Sequence, residues 1–135
     1  MSIEYPAAIQ SLFDHLARTG EYQMESSTYD DQSFGNVSVV LAGPTLCVRI
    51  TKDRGQWSIE MSASGAQRSW YDTYAIRKLL TNTIDDNMMS IDEQVQLIRD
   101  LWSELEQAFG SKFAEYTESK LHIIEKHRVK RLFFD

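Results

Sequence analysis

Apolar residues recur at every second position in three consecutive segments of the chain, and this pattern constrains the fold more than any other feature. The apolar positions are Val37, Val39 and Leu41, then Leu46, Val48 and Ile50, then Trp57, Ile59 and Met61. A period of two is typical of β-strands that bury one face. Residues 42–45 and 53–56, which separate the segments, include glycine, proline and aspartate, the usual turn formers. The sequence therefore predicts an antiparallel β-meander.

The apolar face also predicts the register of the second hairpin. Paired residues of an antiparallel sheet share a face, so a slip by one residue would turn every apolar side chain outward. Placing Ile50 opposite Ile59 keeps the apolar side chains together and puts Arg49 opposite Glu60 on the other face. We expect a loop of four residues between these strands, because a two-residue loop needs positive φ at both positions and Arg54 is a poor fit there.

Helical periodicity occurs before the meander. One apolar stripe at helical spacing ends at Gly20, and glycine is a common helix terminator. The residues of this stripe are Ile9, Leu12, Phe13 and Leu16. Residues 21–25 alternate and predict a short edge strand, whereas the polar residues 26–33 predict a loop.

Three helices are predicted after the meander. Asp72 is placed to cap a short helix, and Ser90 begins a capping box with Glu93. The helix that starts there carries one uninterrupted apolar stripe up to Gly110. The stripe residues are Ile91, Val95, Ile98, Trp102, Leu105 and Phe109. Ser111 is placed to cap a last helix, whose basic C-terminal end suits the helix dipole. This helix bears Phe113, Tyr116, Leu121, Ile124 and Arg128.

This order of elements indicates an α+β fold. One helix precedes an antiparallel meander of three or four strands, and three helices follow it and pack on one face of the sheet. At 135 residues, with 42% hydrophobic and 25% charged residues, the chain has the size of one domain, which we assign to residues 1–135.

Charge and cysteine content restrict the class of partner and the compartment. A formal net charge of -6 disfavours nucleic acid and anionic membranes as partners and favours a basic protein. The single cysteine, Cys47, has no second cysteine with which to form a disulfide, which fits a reducing compartment. The chain shows no secretory leader and no apolar run long enough to cross a bilayer. We expect a cytoplasmic protein.

No pattern of residues predicts a metal, a cofactor or a catalytic centre. His122 and His127 lie five residues apart, which is not the three- or four-residue spacing that puts two ligands on one helix face. Asp85 and Asp86 begin like a calcium loop, but Met89 stands where an oxygen ligand is needed. We therefore expect no metal, no cofactor and no catalytic residue.

The acidic residues are concentrated in one part of the chain. Residues 81–110 contain seven acidic residues and one basic residue, Arg99, for a local charge of 1 - 7 = -6, whereas residues 111–135 contain six basic and four acidic residues, for +2. Such a run serves either as a solvated helix face that favours solubility or as a surface that steers a basic partner. The candidate partner-binding residues are Asp85, Asp86, Asp92, Glu93, Asp100 and Glu104.

Four short segments carry a resemblance to a protein family. They are Ser33-Phe34-Gly35-Asn36, Leu46-Cys47-Val48-Arg49-Ile50, Asp53-Arg54-Gly55-Gln56-Trp57 and Trp70-Tyr71-Asp72. The pattern resembles small acidic bacterial proteins grouped with the immunity proteins of polymorphic-toxin and contact-dependent growth inhibition systems, and it covers residues 33 to about 80. The resemblance implies a protein that binds a cognate toxin domain, such as a nuclease, and blocks its active site or substrate path without catalysis.

Two other functions remain open from the sequence. One is a non-enzymatic adaptor or regulatory subunit that forms a homodimer through an exposed apolar patch. The residues of that patch would be Trp70, Met88 and Met89. The other is a small enzyme, for which no residue spacing matches a known reaction. Its candidate groups are Asp53, Arg54 and His15.

Overall fold

The computed structural model describes residues 3–32, 35–65, 67–83 and 87–133. The described elements are α1 (Ala7–Thr19), β1 (Gln23–Asp30), β2 (Asn36–Ala42), β3 (Leu46–Asp53), β4 (Gln56–Ala63), β5 (Tyr71–Asp72), α2 (Thr73–Thr81), α3 (Ile91–Asp100), α4 (Trp102–Phe109) and α5 (Ala114–Phe133). The strands form one antiparallel sheet in the order β1-β2-β3-β4-β5. The predicted α+β fold is confirmed, with one strand more than the predicted maximum of four.

The predicted register of β3 and β4 is also confirmed. Ile50 pairs with Ile59 on the face that carries the core, and Arg49 pairs with Glu60 on the opposite face, which we call the outer face. The Arg49 guanidinium donates two hydrogen bonds to Glu60 Oε1, from Nε at 3.0 Å and from Nη2 at 2.7 Å. The apolar face thus set the register, and the ion pair is consistent with it.

The loop between β3 and β4 is shorter than predicted. The strand pairing extends to Asp53 and Gln56, so the loop contains only Arg54 and Gly55, with φ of 52° and 84°. Two positive φ values match a type I′ turn, whose twist fits the twist of the flanking strands. The Arg54 amide donates to Asn36 Oδ1 at 3.0 Å, and this bond anchors the residue in the left-handed conformation.

β1 is longer than the predicted edge strand. It continues through polar residues that were predicted as a loop, and all eight of its residues are exposed. Its pairing with β2 shifts register between Met24 and Ser26, which marks a β-bulge at Glu25. An edge strand that buries neither face does not need apolar alternation, so its sequence carries no period of two.

Three of the predicted helix boundaries marked by caps are confirmed. Gly20 follows α1 in the left-handed conformation, with φ of 70°. Asp72 Oδ1 accepts the Ala75 amide at 3.0 Å at the start of α2. Ser90 and Glu93 form the capping box of α3, in which each side chain accepts the backbone amide of the other residue at 3.1 Å.

The single helix predicted from Ser90 to Gly110 is two helices. Leu101, with φ of -105° and ψ of 19°, leaves helical geometry between α3 and α4. The apolar stripe still faces the core on both sides of this break. The last helix begins at Ala114, whose amide donates to the Gly110 carbonyl at 2.9 Å, and not at the predicted Ser111, which is exposed.

One hydrophobic core joins the helices to the sheet. Its most buried side chains come from β2, β3 and β4 on one side and from all five helices on the other. These side chains are Ile9, Leu12, Leu16, Val39, Leu46, Ile50, Ile59, Met61, Ile76, Ile98, Leu105 and Leu121. Within the described part of the chain, none of the helices combines the length and the apolar content that crossing a membrane requires.

One end of the outer face is also covered, by the connection from β4 to β5. Cys47 and its partner Ser62 lie on this face, yet both are fully buried. Ser64, in the connection, places its Oγ 3.9 Å from Cys47 Sγ. Arg68, further along it, reaches Glu25 at the opposite edge of the sheet through two hydrogen bonds of 2.9 and 2.7 Å. The described residues of the connection therefore lie across the outer face.

Candidate partner-binding surface

Four of the six predicted partner-binding carboxylates lie on the exposed side of α3 and α4. They are Asp92, Glu93, Asp100 and Glu104, which we call the acidic surface. The remaining two, Asp85 and Asp86, lie outside the residues that the structure describes. Because buried stripe residues alternate with these carboxylates at helical spacing, the core and the acidic surface occupy opposite sides of the same two helices.

Local sequence explains where these carboxylates stand. Asp92 and Glu93 occupy the first turn of α3, and Glu104 occupies the first turn of α4, where the helix dipole favours negative charge. Asp100 accepts a hydrogen bond from Gln96 Nε2 at 2.7 Å, which shows that these two residues share a face one turn apart. Glu93 Oε1 also accepts the Ser90 amide in the capping box, so the side chain of Glu93 is the least available of the four for a contact with a partner.

The one basic residue of α3 and α4, Arg99, is exposed and is bound to α1. Arg99 donates from Nη1 to Ser11 Oγ on α1 at 2.7 Å. Among the described residues, ion pairs join Arg49 to Glu60, Arg68 to Glu25 and Arg128 to Asp72, and none of them includes a carboxylate of the acidic surface. The negative charge of this surface is therefore not neutralised by a neighbouring cation in the described structure.

An open cleft of about 610 Å³ lies between α2, α4 and α5 and shares Glu104 with the acidic surface. Its apolar lining consists of Leu79, Leu80, Ala108, Phe113, Tyr116 and Ile124. Its polar lining consists of Lys78, Asn82, Glu104, Gln107, Thr117 and Lys120. The volume falls within the range of about 300–1,000 Å³ that is usual for ligand pockets.

Sequence reasoning missed this cleft. The sequence predicts Phe113 and Tyr116 among the apolar residues of the last helix. In the structure, however, 38% of the surface of Phe113 and 63% of that of Tyr116 are exposed. The ammonium groups of Lys112 and Lys120 each lie 5.4 Å from the centre of one of these rings. An aromatic residue at helical spacing indicates a core position only if another element covers it, and the sequence does not show that α2 and α4 leave this gap.

Three carboxylates meet where β4, β5 and α5 come together. Glu60 pairs with Asp72 across the strands, and both act on Glu125 of α5. Burial, followed by the charge of Asp72, raises the pKa of Glu125, and Arg128 opposes this shift. Arg128 binds Asp72 Oδ2 at 2.6 Å and stacks 4.1 Å from the centre of the Tyr74 ring. With guanidinium groups bound to two of the carboxylates, this cluster serves as a structural link between sheet and helix.

A second polar cluster is buried around Trp102. The rings of His15 and Tyr22 pack edge-on against Trp102 at 4.8 and 5.7 Å between centroids. His15 Nε2 and Trp102 Nε1 are buried without a hydrogen-bond partner among the described residues. Burial lowers the pKa of His15 below its usual 6.5, and the charges of Arg99 and Arg18 lower it further. Burial also raises the pKa of Tyr22 far above its usual 10.

The groups of the enzyme hypothesis are not brought together. His15 packs against Trp102 in the helical layer, whereas Asp53 and Arg54 lie at the exposed tip of the β3–β4 hairpin. No contact joins His15 to either turn residue among the described residues. In the same part of the chain, no group of three or more metal-ligating side chains could hold a metal ion.

The residues of the predicted homodimer patch differ in exposure. Met88 is 87% exposed, whereas Met89 is half-buried. Trp70 is also half-buried, and the Arg49 guanidinium lies 4.6 Å from the centre of its ring. Of the three side chains, Met88 alone presents most of its surface to solvent.

The comparisons with known proteins add no relative. No family model matches the chain, and no similar protein is found among the curated proteins or the solved structures. The resemblance to immunity proteins therefore stays a prediction.

Proposed function

We propose that the protein is a cytoplasmic immunity protein, which binds a cognate bacterial toxin domain of basic charge, such as a nuclease. Binding would block the active site or the substrate path of the toxin, with no chemistry by the immunity protein itself. The observation that supports this proposal is the acidic surface, whose four carboxylates are exposed while Arg99 is held against α1.

Electrostatic attraction would bring a basic nuclease to this surface. A nuclease presents cations to the phosphates of its substrate, and exposed carboxylates compete for the same cations. Complementary charge also steers the encounter and raises the association rate, which falls as salt screens the charges. At physiological ionic strength the screening length is about 8 Å. The carboxylates therefore act strongly only on the charges of a partner that docks on the acidic surface.

Neutralising the acidic surface tests the proposal. The test variant combines Asp92→Asn, Asp100→Asn and Glu104→Gln and leaves the capping residue of α3 intact. The partner is the toxin domain encoded beside this gene, and stopped-flow fluorescence measures the association rate between 50 and 500 mM salt. We expect the test variant to associate more slowly by on the order of tenfold at the lowest salt, with the difference shrinking as salt rises.

A matched control separates a local surface from net charge. The control variant combines Asp14→Asn, Glu21→Gln and Asp31→Asn, which are exposed residues outside α3 and α4 that give the same change of three charges. We expect the control to associate much faster than the test variant. Equal rates for the two variants, or no complex with the neighbouring toxin domain, would contradict the proposal.

The alternative is a non-enzymatic adaptor or regulatory subunit that forms a homodimer. The exposure of Met88 favours it, because a large apolar side chain at 87% exposure is a plain candidate for a contact between two copies. Sedimentation across a dilution series distinguishes the two functions. A stable dimer that Met88→Ser dissociates, together with no binding to a toxin domain, would support the adaptor.

A further inference from the structure

The cleft between α2, α4 and α5 has the composition of the centre of a protein interface. Aromatic anchors surrounded by aliphatic residues carry most of the binding energy in such interfaces, and a charged rim surrounds them. Here Phe113 and Tyr116 are the exposed aromatic residues, Leu79 and Ile124 belong to the apolar lining, and charged residues stand among them. A cleft of this kind that shares Glu104 with the acidic surface would be reached by the same partner.

The construction of the cleft favours a helix as its occupant. An added β-strand draws its affinity from hydrogen bonds to a free strand edge. The cleft is lined by side chains of α2, α4 and α5 and of the residues next to them, and no strand contributes to its lining, so it offers no strand edge to extend. A helix satisfies its own backbone and needs only an apolar groove for its side chains.

The charges of the cleft are distributed unequally between its walls. The α4 wall contributes Glu104, whereas α2 and α5 contribute Lys78 and Lys120. A complementary helix therefore carries basic residues along the edge that faces α4 and acidic residues along the edge that faces the two lysines. The basic edge continues the complementarity of the acidic surface, because Glu104 belongs to both.

From these observations we infer that the cleft binds an amphipathic helix of the toxin domain, with its apolar face against Phe113 and Tyr116 and with acidic residues toward Lys78 and Lys120. The inference rests on the proposed function, since it assigns a second contact to the same partner. According to this inference, the complex depends on the positive charges of Lys78 and Lys120, in a protein whose net charge is -6.

Charge reversal of a cleft lysine gives a result that long-range attraction alone does not predict. Lys120→Glu makes the protein more acidic, so attraction to a basic toxin should increase. If Lys120 contacts acidic residues of a bound helix, the same change places like charges together and the complex dissociates faster. Lys126→Glu is the matched control, because Lys126 is an exposed lysine of the same helix that does not line the cleft.

The experiment measures dissociation of the protein from the toxin domain by surface plasmon resonance. We expect Lys120→Glu and Tyr116→Ala each to raise the dissociation rate by on the order of tenfold or more, and Lys126→Glu to leave it within about twofold. Tyr116 and Lys120 are largely exposed, so both variants should fold, which circular dichroism verifies. A crystal structure of the complex should show a helix in the cleft.

The outcomes separate this inference from the proposed function. If neutralising the acidic surface slows association but the two cleft variants dissociate like Lys126→Glu, the cleft inference is wrong and the proposed function stands. A complex whose crystal structure shows a loop, a strand or no partner residue in the cleft has the same meaning. If no complex with the toxin domain forms at all, both are wrong.

Discussion

Arg99 Nη1 donates a hydrogen bond to Ser11 Oγ at 2.7 Å and so ties α3 to α1. The same bond holds the guanidinium of the only cation of α3 and α4 at Ser11, and among the described residues it forms no ion pair with the carboxylates of the acidic surface. One contact thus contributes both to helix packing and to the charge distribution on α3 and α4. Its removal should separate these two roles.

Arg99→Gln should therefore strengthen, not weaken, attraction to a basic partner. Removing one positive charge near the acidic surface should raise the association rate by about two- to threefold at 50 mM salt. The effect should vanish near 1 M salt, where the screening length is about 3 Å. Stopped-flow association with the toxin domain measures it, and Lys126→Gln provides the same charge change elsewhere. A slower rate for Arg99→Gln would show that the guanidinium itself contacts the partner.

Asp72 should prove more important for stability than a cap residue alone. Asp72→Ala removes the cap of α2, worth about 1 kcal/mol, and also leaves Arg128 without its carboxylate. Asp72→Asn retains a capping oxygen and loses only the partly exposed ion pair, worth about 0.2–1 kcal/mol. Urea denaturation should place both variants below the natural protein, with Asp72→Ala the less stable. The reverse order would refute the capping role.

Gly43 should be intolerant of a side chain because Tyr22 packs against its backbone. A Cβ at this position would collide with the Tyr22 ring. We expect Gly43→Ala to lower the free energy of unfolding by about 1–3 kcal/mol, the usual cost of overpacking. In the background of Tyr22→Ala the same substitution should cost far less. Additive costs in this double-mutant cycle, measured by urea denaturation, would mean that the ring is not the obstacle.

Stability should fall as the pH is lowered from about 7.5 to 5.5, in part through His15. Burial lowers the pKa of His15 in the folded state below its usual 6.5. The unfolded chain therefore binds the proton first as the pH falls, so protonation favours unfolding below about pH 6.5. His15→Gln should reduce this loss of stability in urea denaturation. An unchanged pH dependence in His15→Gln would assign the effect to other groups.

The features that the sequence predicts best depend on residues close together in the chain. The capping box needs only Ser90 and Glu93, three positions apart, and the hairpin register needs only the apolar face that places Ile50 opposite Ile59. No sequence signal predicts the break between α3 and α4 at Leu101. Neither proline nor glycine stands there, and the apolar stripe continues across the break. Local rules therefore fix this capping box and this register but not the continuity of a helix.

The cleft was beyond reach of sequence because it is a property of packing between helices. Phe113 and Tyr116 have the spacing of core residues, and only the placement of α2 and α4 leaves them exposed. The length of β1 was missed for a related reason, since its strand form depends on hydrogen bonds to β2 and not on its own apolar content. The carboxylates of the acidic surface were located from sequence because charged helix positions opposite a stripe are exposed by default.

The connection that lies across the outer face has a practical consequence for the only thiol of the protein. Cys47 is inaccessible while Ser64 covers it and Arg68 remains bound to Glu25. An alkylating reagent can react with Cys47 only in molecules where the connection has moved off the outer face or the sheet has opened. The rate of thiol labelling therefore measures local opening of the protein. It can be measured in the free protein and in any complex without an added probe.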